Sequence, residues 1–547
     1  MDGHSKNPGG FKRAARRNRW ARTHAVAAVG GALSLVLVSG CSGNSGSGSA
    51  ASGTFTLGVP VALPSANPYN ANTGSGQMLY LSYLAYDSLV NQSSGGTFQT
   101  GLAQKWTTTS TSATFQLRSG VTCSDGSKLT ASQVADDLNY VGNPKNAYPW
   151  LGSLTPTVNY TAHGDDATGT VTITTQSPYP FLLETLGNVP IVCAQGMKNP
   201  STLTHTSDGT GPFVLTSSDQ TTYTYTVRKG YTWGPDGAST SAAGTPGKVV
   251  LKVVTDATTA ANELLAGQLT ATQVLGQDGT RLTAAGFPRA TAESQTAALY
   301  FTESAQQATS DEAVRRALAA AMDFDQLVKV QSLSSGEPAT RSTALRVGSP
   351  LPCPGADAVT QLPAYSMATA GQLLDSAGWA KGPNGVREKD GKPLSLTIAY
   401  QTASESSVAQ LLQSEWSSLG AQVSLDLLTT QQQQAFINGS ADFAVLIAAS
   451  SQTLPTQIQQ EVSGPGAPTG MNLQQVSNPT YDRLVAQALT EPDAQGCPQW
   501  VQAENTVLQA ADIVPVADQP AVLFTAKSAS AVLTSARQPI PTSLKLN

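Results

Sequence analysis

From residue 54 onward the chain alternates between two hydrophobic rhythms. In Thr54–Pro60 every second position is apolar, with Phe55, Leu57 and Val59 on one face, and this period of two predicts a strand. A turn-rich loop over 62–72 contains Asn67-Pro68-Tyr69. Met78, Leu81, Leu84, Ala85 and Leu89 then recur at helical spacing and predict a helix over Gly76–Val90. Ser112–Leu117 reads as a strand, Cys123-Ser124-Asp125-Gly126 as a turn, and Thr130-Ala131-Ser132-Gln133 as a capping box opening a helix through Val134 and Leu138. Further on, Ala313–Asp325 is amphipathic: Val314, Leu318, Ala321 and Met322 form one stripe, Arg315 and Arg316 fall on the solvent side, and Asp311 and Glu312 suit the positive N-terminal end. A helix over Ala370–Gly378 stops at a glycine suited to the left-handed position after its end. The turn Lys389-Asp390-Gly391-Lys392 feeds a strand, Leu394–Tyr400, then a helix over Ser407–Gly420 and a strand over Gln422–Leu427. Strands alternating with helices in this way predict α/β lobes with mixed sheets.

The first 41 residues follow another rule. Seven of the chain's 31 basic residues and one of its 36 acidic residues lie there, so the rest carries 24 and 35 and a net charge of −11, against −5 for the whole. The uncharged run Ala25–Gly40 is sixteen residues, short of the ~20 that span a bilayer as a helix. A basic stretch, a short apolar stretch and small residues before a break describe a secretory signal peptide. Val38-Ser39-Gly40-Cys41 resembles the bacterial lipobox, in which the cysteine is diacylated and becomes the new N-terminus. Arg16-Arg17 leaves the export route open between the general and twin-arginine pathways, although Asn18-Arg19-Trp20 fits the latter poorly. Residues 42–53, rich in Gly, Ser and Ala, read as a tether. The expected location is therefore extracytoplasmic, anchored to the outer face of the cytoplasmic membrane through Cys41.

Composition narrows the classes that remain. The 547 residues leave room for two or three packed units. Only 12% are charged, and the acidic body excludes a nucleic-acid binder. Besides Cys41 the cysteines are Cys123, Cys193, Cys353 and Cys497, which allow three pairings in an oxidising compartment and form no zinc-like cluster. His163, within Thr161-Ala162-His163-Gly164-Asp165-Asp166, reads as a surface turn rather than a metal site. There is no G-x-x-x-x-G-K-[ST] loop, no G-x-S-x-G elbow and no S-x-x-K, so neither an ATPase nor a nucleophilic hydrolase is expected, and no metal or cofactor is assigned. A hydrolase built on two carboxylates is the residual enzymatic alternative.

Ordered landmarks point to a family. Gly101–Val141 (GLAQKWTTTSTSATFQLRSGVTCSDGSKLTASQVADDLNYV) resembles the signature of the family 5 extracellular solute-binding proteins, the dipeptide, oligopeptide and nickel type that serves ABC importers. Gly209-Thr210-Gly211-Pro212-Phe213, Tyr223–Trp233, the helix Ser310–Asp323, Leu373–Trp379, Asn478-Pro479-Thr480-Tyr481-Asp482 and Ile513-Val514-Pro515-Val516 come in the family's order, over about residues 54–520.

The resemblance implies a two-lobed periplasmic-binding-protein-like α/β fold, class II and of the large peptide-binding type, with an extra subdomain in lobe I. Lobe I maps to 54–295 and 518–547, and lobe II to 296–517. That division implies the pairings Cys123–Cys193 and Cys353–Cys497, because the others would staple the lobes together. It implies a monomer that captures a peptide-like or other small polar solute in its cleft and delivers it to membrane permease subunits, with no enzymatic role. In peptide-binding relatives a carboxylate in a lobe II loop holds the ligand's amino group. Here the corresponding stretch, Ile447–Pro455, has none and offers Ser450, Ser451, Gln452 and Thr453, which suit a neutral polar ligand. Asn67 and Tyr69, together with Tyr300 and Thr302, are further cleft candidates from their place in the fold, whereas Trp106, Trp233 and Trp379 belong to scaffold motifs. A sensor or surface-interaction lipoprotein with a degenerate cleft is the alternative that keeps the fold and drops transport.

Overall fold

The computed structural model describes residues 52–547 apart from 63–64, 71–81, 151, 153, 337, 348–350, 403–404, 441, 451, 468, 492 and 535–536. The leader 1–41 with Cys41, the tether as far as residue 51, the first part of the Gly76–Val90 helix and Ser451 lie outside these residues.

Two strands of thirteen residues organise the molecule. Arg289–Phe301 and Ile513–Thr525 run antiparallel, paired from Arg289↔Phe524 to Tyr300↔Ile513. At one end of this ribbon Val445–Ser450 pairs with Arg289–Phe301, followed by the parallel strands Ser395–Tyr400 and Gln422–Leu427. At the other end Ala271–Gln273 pairs with Ile513–Thr525, followed by Thr54–Val59, Lys248–Val253, Thr222–Val227 and Phe213–Ser218. With Thr340–Arg341 alongside, these make an eleven-stranded sheet among the described residues. The ribbon thus lies at the middle of the sheet, and its register breaks between Gln295 and Ala298. A bulge at such a point bends the strand and re-aims the residues beyond it. A separate four-stranded antiparallel sheet, Ala103–Thr108, Ser112–Leu117, Thr170–Thr175 and Tyr160–Asp165, packs against the helix Ala131–Gly142 and forms the additional subdomain.

Local signals account for many boundaries. Ser112–Leu117 and Gln422–Leu427 occupy the predicted spans. Thr130 caps its helix by accepting from the Gln133 N–H, while the Gln133 side chain turns away to Asp137 and Val192 instead of closing the box. Asp390 and Gly391, both at positive φ, make the tight hairpin between Arg387–Lys389 and Lys392–Pro393. Gly420, at φ 110°, ends the helix Ser406–Leu419 in the left-handed conformation.

Four expectations are corrected. The helix leading to Val90 ends at Ala85: the carbonyls of Ser88 and Leu89 accept from Leu102 and Ala103, which draws the chain into an extended path, and Val90 opens a strand. The helix expected over Ala313–Asp325 is two, Glu312–Ala320 and Phe324–Ser335, because the Asp323 side chain caps the second at the Gln326 N–H. His163 lies on the strand Tyr160–Asp165, and the turn begins only after it. Arg315 is not on the solvent side. It is 3% exposed, its Nη2 lies 2.7 Å from Asp512 Oδ1 and 3.4 Å from Glu303 Oε1, and its Nη1 donates to the Thr309 carbonyl. Two buried carboxylates from distant segments require that cation inside, while Arg316 remains outside with Glu312.

The four cysteines pair as Cys123–Cys193 and Cys353–Cys497. The first ties a turn of the subdomain to the start of the helix Ala194–Lys198, and the second ties the 353 loop to the helix Cys497–Gln509.

Candidate functional site

A cavity of about 480 Å³ is lined by segments that lie far apart in the chain. Its first wall is aromatic. Tyr83 and Tyr86 come from the end of the 82–85 helix, Phe98 from the short hairpin Val90–Gln92/Phe98–Thr100, and Trp150 and Tyr231 from loops. Asp87 orders this wall from behind: Tyr231 Oη donates to one carboxylate oxygen at 2.9 Å, and Trp233 Nε1 at 2.9 Å and Thr210 Oγ1 at 3.0 Å donate to the other. Burial pushes the Asp87 carboxyl up, and the three donors pull it back down. Such a fully engaged carboxylate is a fixture of the wall rather than a free ligand group.

The opposite wall is built by the loop before the helix Pro455–Val462 and by Val347, Leu351 and Pro352. Thr453, Leu454 and Gln457 face the cavity, and Gln457 Oε1 accepts from the Thr453 and Leu454 N–H groups, so that the helix caps its own entry loop. Arg346 holds the two pieces together. Its Nε meets Glu504 Oε1 at 2.5 Å, its Nη1 donates to the Thr453 carbonyl and its Nη2 to the Cys353 and Pro354 carbonyls, while Glu504 Oε2 accepts from the Ala356 N–H. Val347, Leu351 and Pro352 are thereby presented to the cavity. Glu293 on the first crossover strand and the segment Arg537–Thr542 complete the lining.

Away from the ribbon, segments far apart in the chain touch directly. Tyr179 and Thr456 share a buried hydrogen bond of 3.2 Å between hydroxyls, and the rings of Phe181 and Trp500 lie 6.1 Å apart, both buried. At Gly152, whose φ is 80°, an added Cβ would meet the Gln460 side-chain amide.

Of the residues singled out from the sequence, Thr453 alone lines the cavity. Asn67 makes a local turn, its Oδ1 accepting from the Tyr69 N–H at 2.9 Å. Tyr69 is packed against Tyr140 and Tyr148 and donates to the Pro190 carbonyl, so neither residue reaches the cleft. Thr302 is 1% exposed within the second lobe, its N–H bound to the Ala444 carbonyl. Tyr300, Ser450 and Gln452 are brought together, but around a carboxylate that the sequence did not flag. Glu461 accepts from the Gln452 amide, and Tyr300 interacts with Ser450 and Glu461. Asp87, Trp150, Arg346 and Arg537 were also missed. Only Asp87, a charge inside the apolar run Leu81–Val90, carried a signal of burial in the sequence.

Burial pushes the Glu461 carboxyl from 4.5 up to about 8, with the Gln452 amide offsetting part of that cost, and burial raises Glu415 to about 7. The folded protein therefore keeps protons that the unfolded chain releases above about 4.5. Stability is expected to fall as pH rises from about 4.5 to about 8. Each tenfold difference in proton affinity between the folded and unfolded chain is worth ~1.4 kcal/mol, so Glu461→Gln should raise stability at pH 8 by up to about 4 kcal/mol and leave it nearly unchanged at pH 4.5. Urea denaturation of both proteins at the two pH values checks this; an equal effect at both would refute it.

Comparison with known proteins places this geometry. Residues 97–469 match the model of the bacterial extracellular solute-binding proteins, family 5 Middle. Protein XP55 of Streptomyces lividans is 31% identical over 309 residues, 52% of this chain and half the length of that protein. The periplasmic murein peptide-binding protein MppA of Escherichia coli (strain K12) is 26% identical over 467 residues, 79% of this chain and 81% of that one. The crystal structure of NikA from Brucella suis in complex with Fe(III)-EDTA aligns with a TM-score of 0.73 at 22% identity, covering 90% of this chain and 100% of that chain. With more than half of its length matched to the family model and its lobes joined by a shared strand ribbon around a cavity, the chain belongs to family 5 of the bacterial extracellular solute-binding proteins.

Proposed function

We propose that the protein encloses one small solute between its lobes and presents it to the permease subunits of an ABC importer, as a monomer held on the outer face of the cytoplasmic membrane by acyl chains on Cys41. The observation that carries this reading is the cavity of about 480 Å³ with an aromatic wall from one side and a hydrogen-bonding loop from the other. Small-molecule sites of this size bury most of a ligand against apolar surface and orient it with a few polar groups. The lobes are taken as 54–295 with 518–547, and 296–517. Both disulfides then lie within a lobe and leave closure free. A solute of di- or tripeptide size suits the volume better than a long peptide. The murein peptide and iron chelate bound by relatives mark the range to test.

Residues 42–547, which contain every strand and helix described above, are the material for a thermal-shift screen against di- and tripeptides, sugars and nickel or iron chelates. A solute at 100 times its Kd should stabilise the protein by ~2.7 kcal/mol. A shift with one chemical class and not the others names the cargo. No shift with any of them favours a sensor or surface-interaction lipoprotein whose cleft no longer binds.

A further inference from the structure

The charge on the cavity wall is uneven. Among the described lining residues the acids are Asp87, Glu184 and Glu293, and Arg537 is the single cation. Asp87 is already engaged by three donors. Arg537 is held in place by an unusual backbone. Its φ is 67°, in the left-handed region that a non-glycine residue enters only at a steric cost. Hydrogen bonds to Thr534 hold this conformation: the Thr534 N–H donates to the Gln538 carbonyl at 2.7 Å, the Arg537 N–H to the Thr534 carbonyl at 2.9 Å, and the Gln538 N–H to Thr534 Oγ1 at 3.2 Å. The side chain is pinned as well, with Nη1 donating to Ser294 Oγ at 2.6 Å. Ser294 is buried on the first crossover strand, at the junction of the lobes. A guanidinium has five N–H donors in a planar fork, and among the described residues Ser294 takes one of them.

We infer that Arg537 anchors a carboxylate of the bound solute, with the aromatic wall of Tyr83, Phe98, Trp150 and Tyr231 receiving an apolar body attached to it. Guanidinium and carboxylate match as two parallel, charge-assisted hydrogen bonds, and the half-buried site strengthens them relative to water. The bond to Ser294 holds the fork before the ligand arrives, so less side-chain entropy is lost on binding. The assignment rests on the solute-binding reading above and sharpens it. An organic acid, whether the free C-terminus of a short peptide or a small carboxylic acid, is preferred over a neutral sugar.

Calorimetry with three probes tests this: L-alanyl-L-phenylalanine, its C-terminal amide, and 3-phenylpropanoate. The unmodified protein should bind the dipeptide acid at least ~10-fold more tightly than the amide, a difference of ~1.4 kcal/mol. Arg537→Gln should bring the acid down to the amide's affinity and leave the amide within about twofold, which also reports an intact fold. Arg537→Lys, keeping the charge without the fork, should retain part of the preference; it carries the test if the glutamine variant does not fold. Tight binding of 3-phenylpropanoate would identify a small acid as the source of the carboxylate, whereas its failure beside a binding dipeptide would identify the peptide terminus. Equal affinity for acid and amide, or a preference that survives Arg537→Gln, overturns the assignment. If a sugar or chelate binds and none of the three probes does, the solute-binding reading stands and the role of Arg537 falls. If no solute of any class binds, both fall together.

Discussion

Arg346→Ala is expected to lower the stability of the protein by about 3–5 kcal/mol, the cost of removing one partner from a buried ion pair. The pair is dry: both side chains are at most 1% exposed. Alanine would leave the Glu504 carboxylate without its cation, and the carbonyls of Thr453, Cys353 and Pro354 without these donors. The same change would free the 453 loop from the 353 loop, so solute affinity should fall along with stability. A double-mutant cycle with Glu504→Gln, read by urea denaturation, separates the pair from its surroundings. The double variant should be more stable than Arg346→Ala alone, because no buried charge is then stranded. If Arg346→Ala costs less than about 1 kcal/mol, the pair does not organise this wall.

Trp500→Ala should act across the lobes. Trp500 is fully buried in the helix Cys497–Gln509 and meets Phe181 at a ring separation of 6.1 Å. Losing so large a buried side chain costs about 3–5 kcal/mol. Part of the loss is expected to fall on the contact with Phe181, which comes from a segment far away in the chain. The unliganded variant should therefore show a larger radius of gyration by solution scattering, and a weaker affinity for any solute that closes the lobes. Trp500→Phe keeps most of the apolar surface and removes an indole N–H that has no acceptor among the described residues, so it should lose far less stability. An alanine variant as compact as the parent would show that this contact does not hold the lobes together.

Much of the scaffold was legible because its signals are local. A period of two in Ser112–Leu117, a threonine cap three residues before Gln133 and a glycine after Leu419 each depend on neighbours within a few residues, and the fold honours them. The landmarks in order along the chain carried the family and the two-lobed architecture, since they mark strand ends and caps that the fold needs at those points. Of the residues expected at the cleft, the described cavity takes in Thr453, and the other described ones lie elsewhere. Tyr69 was chosen because it comes after the first strand, yet its ring turns toward Tyr140 and Tyr148 in the subdomain. Position along a strand tells which residues reach a sheet edge, but not which neighbour will cover them.

Arg315 and Arg346 mark the boundary most sharply. On the helix Glu312–Ala320, Arg315 and Arg316 look alike to any periodic reading, and solvent is the default for both. Asp512, nearly two hundred residues further on, draws one of them into the interior. Arg346 likewise has no local cue; its partner Glu504 arrives with a helix 158 positions away. Secondary structure, compartment signals and family are encoded over short spans or in the order of motifs, so the chain alone could specify them. Which charges are buried, which aromatics face the cavity and which cation stands ready for a ligand depend on contacts between segments far apart in sequence, and those exist only once the lobes have folded and met.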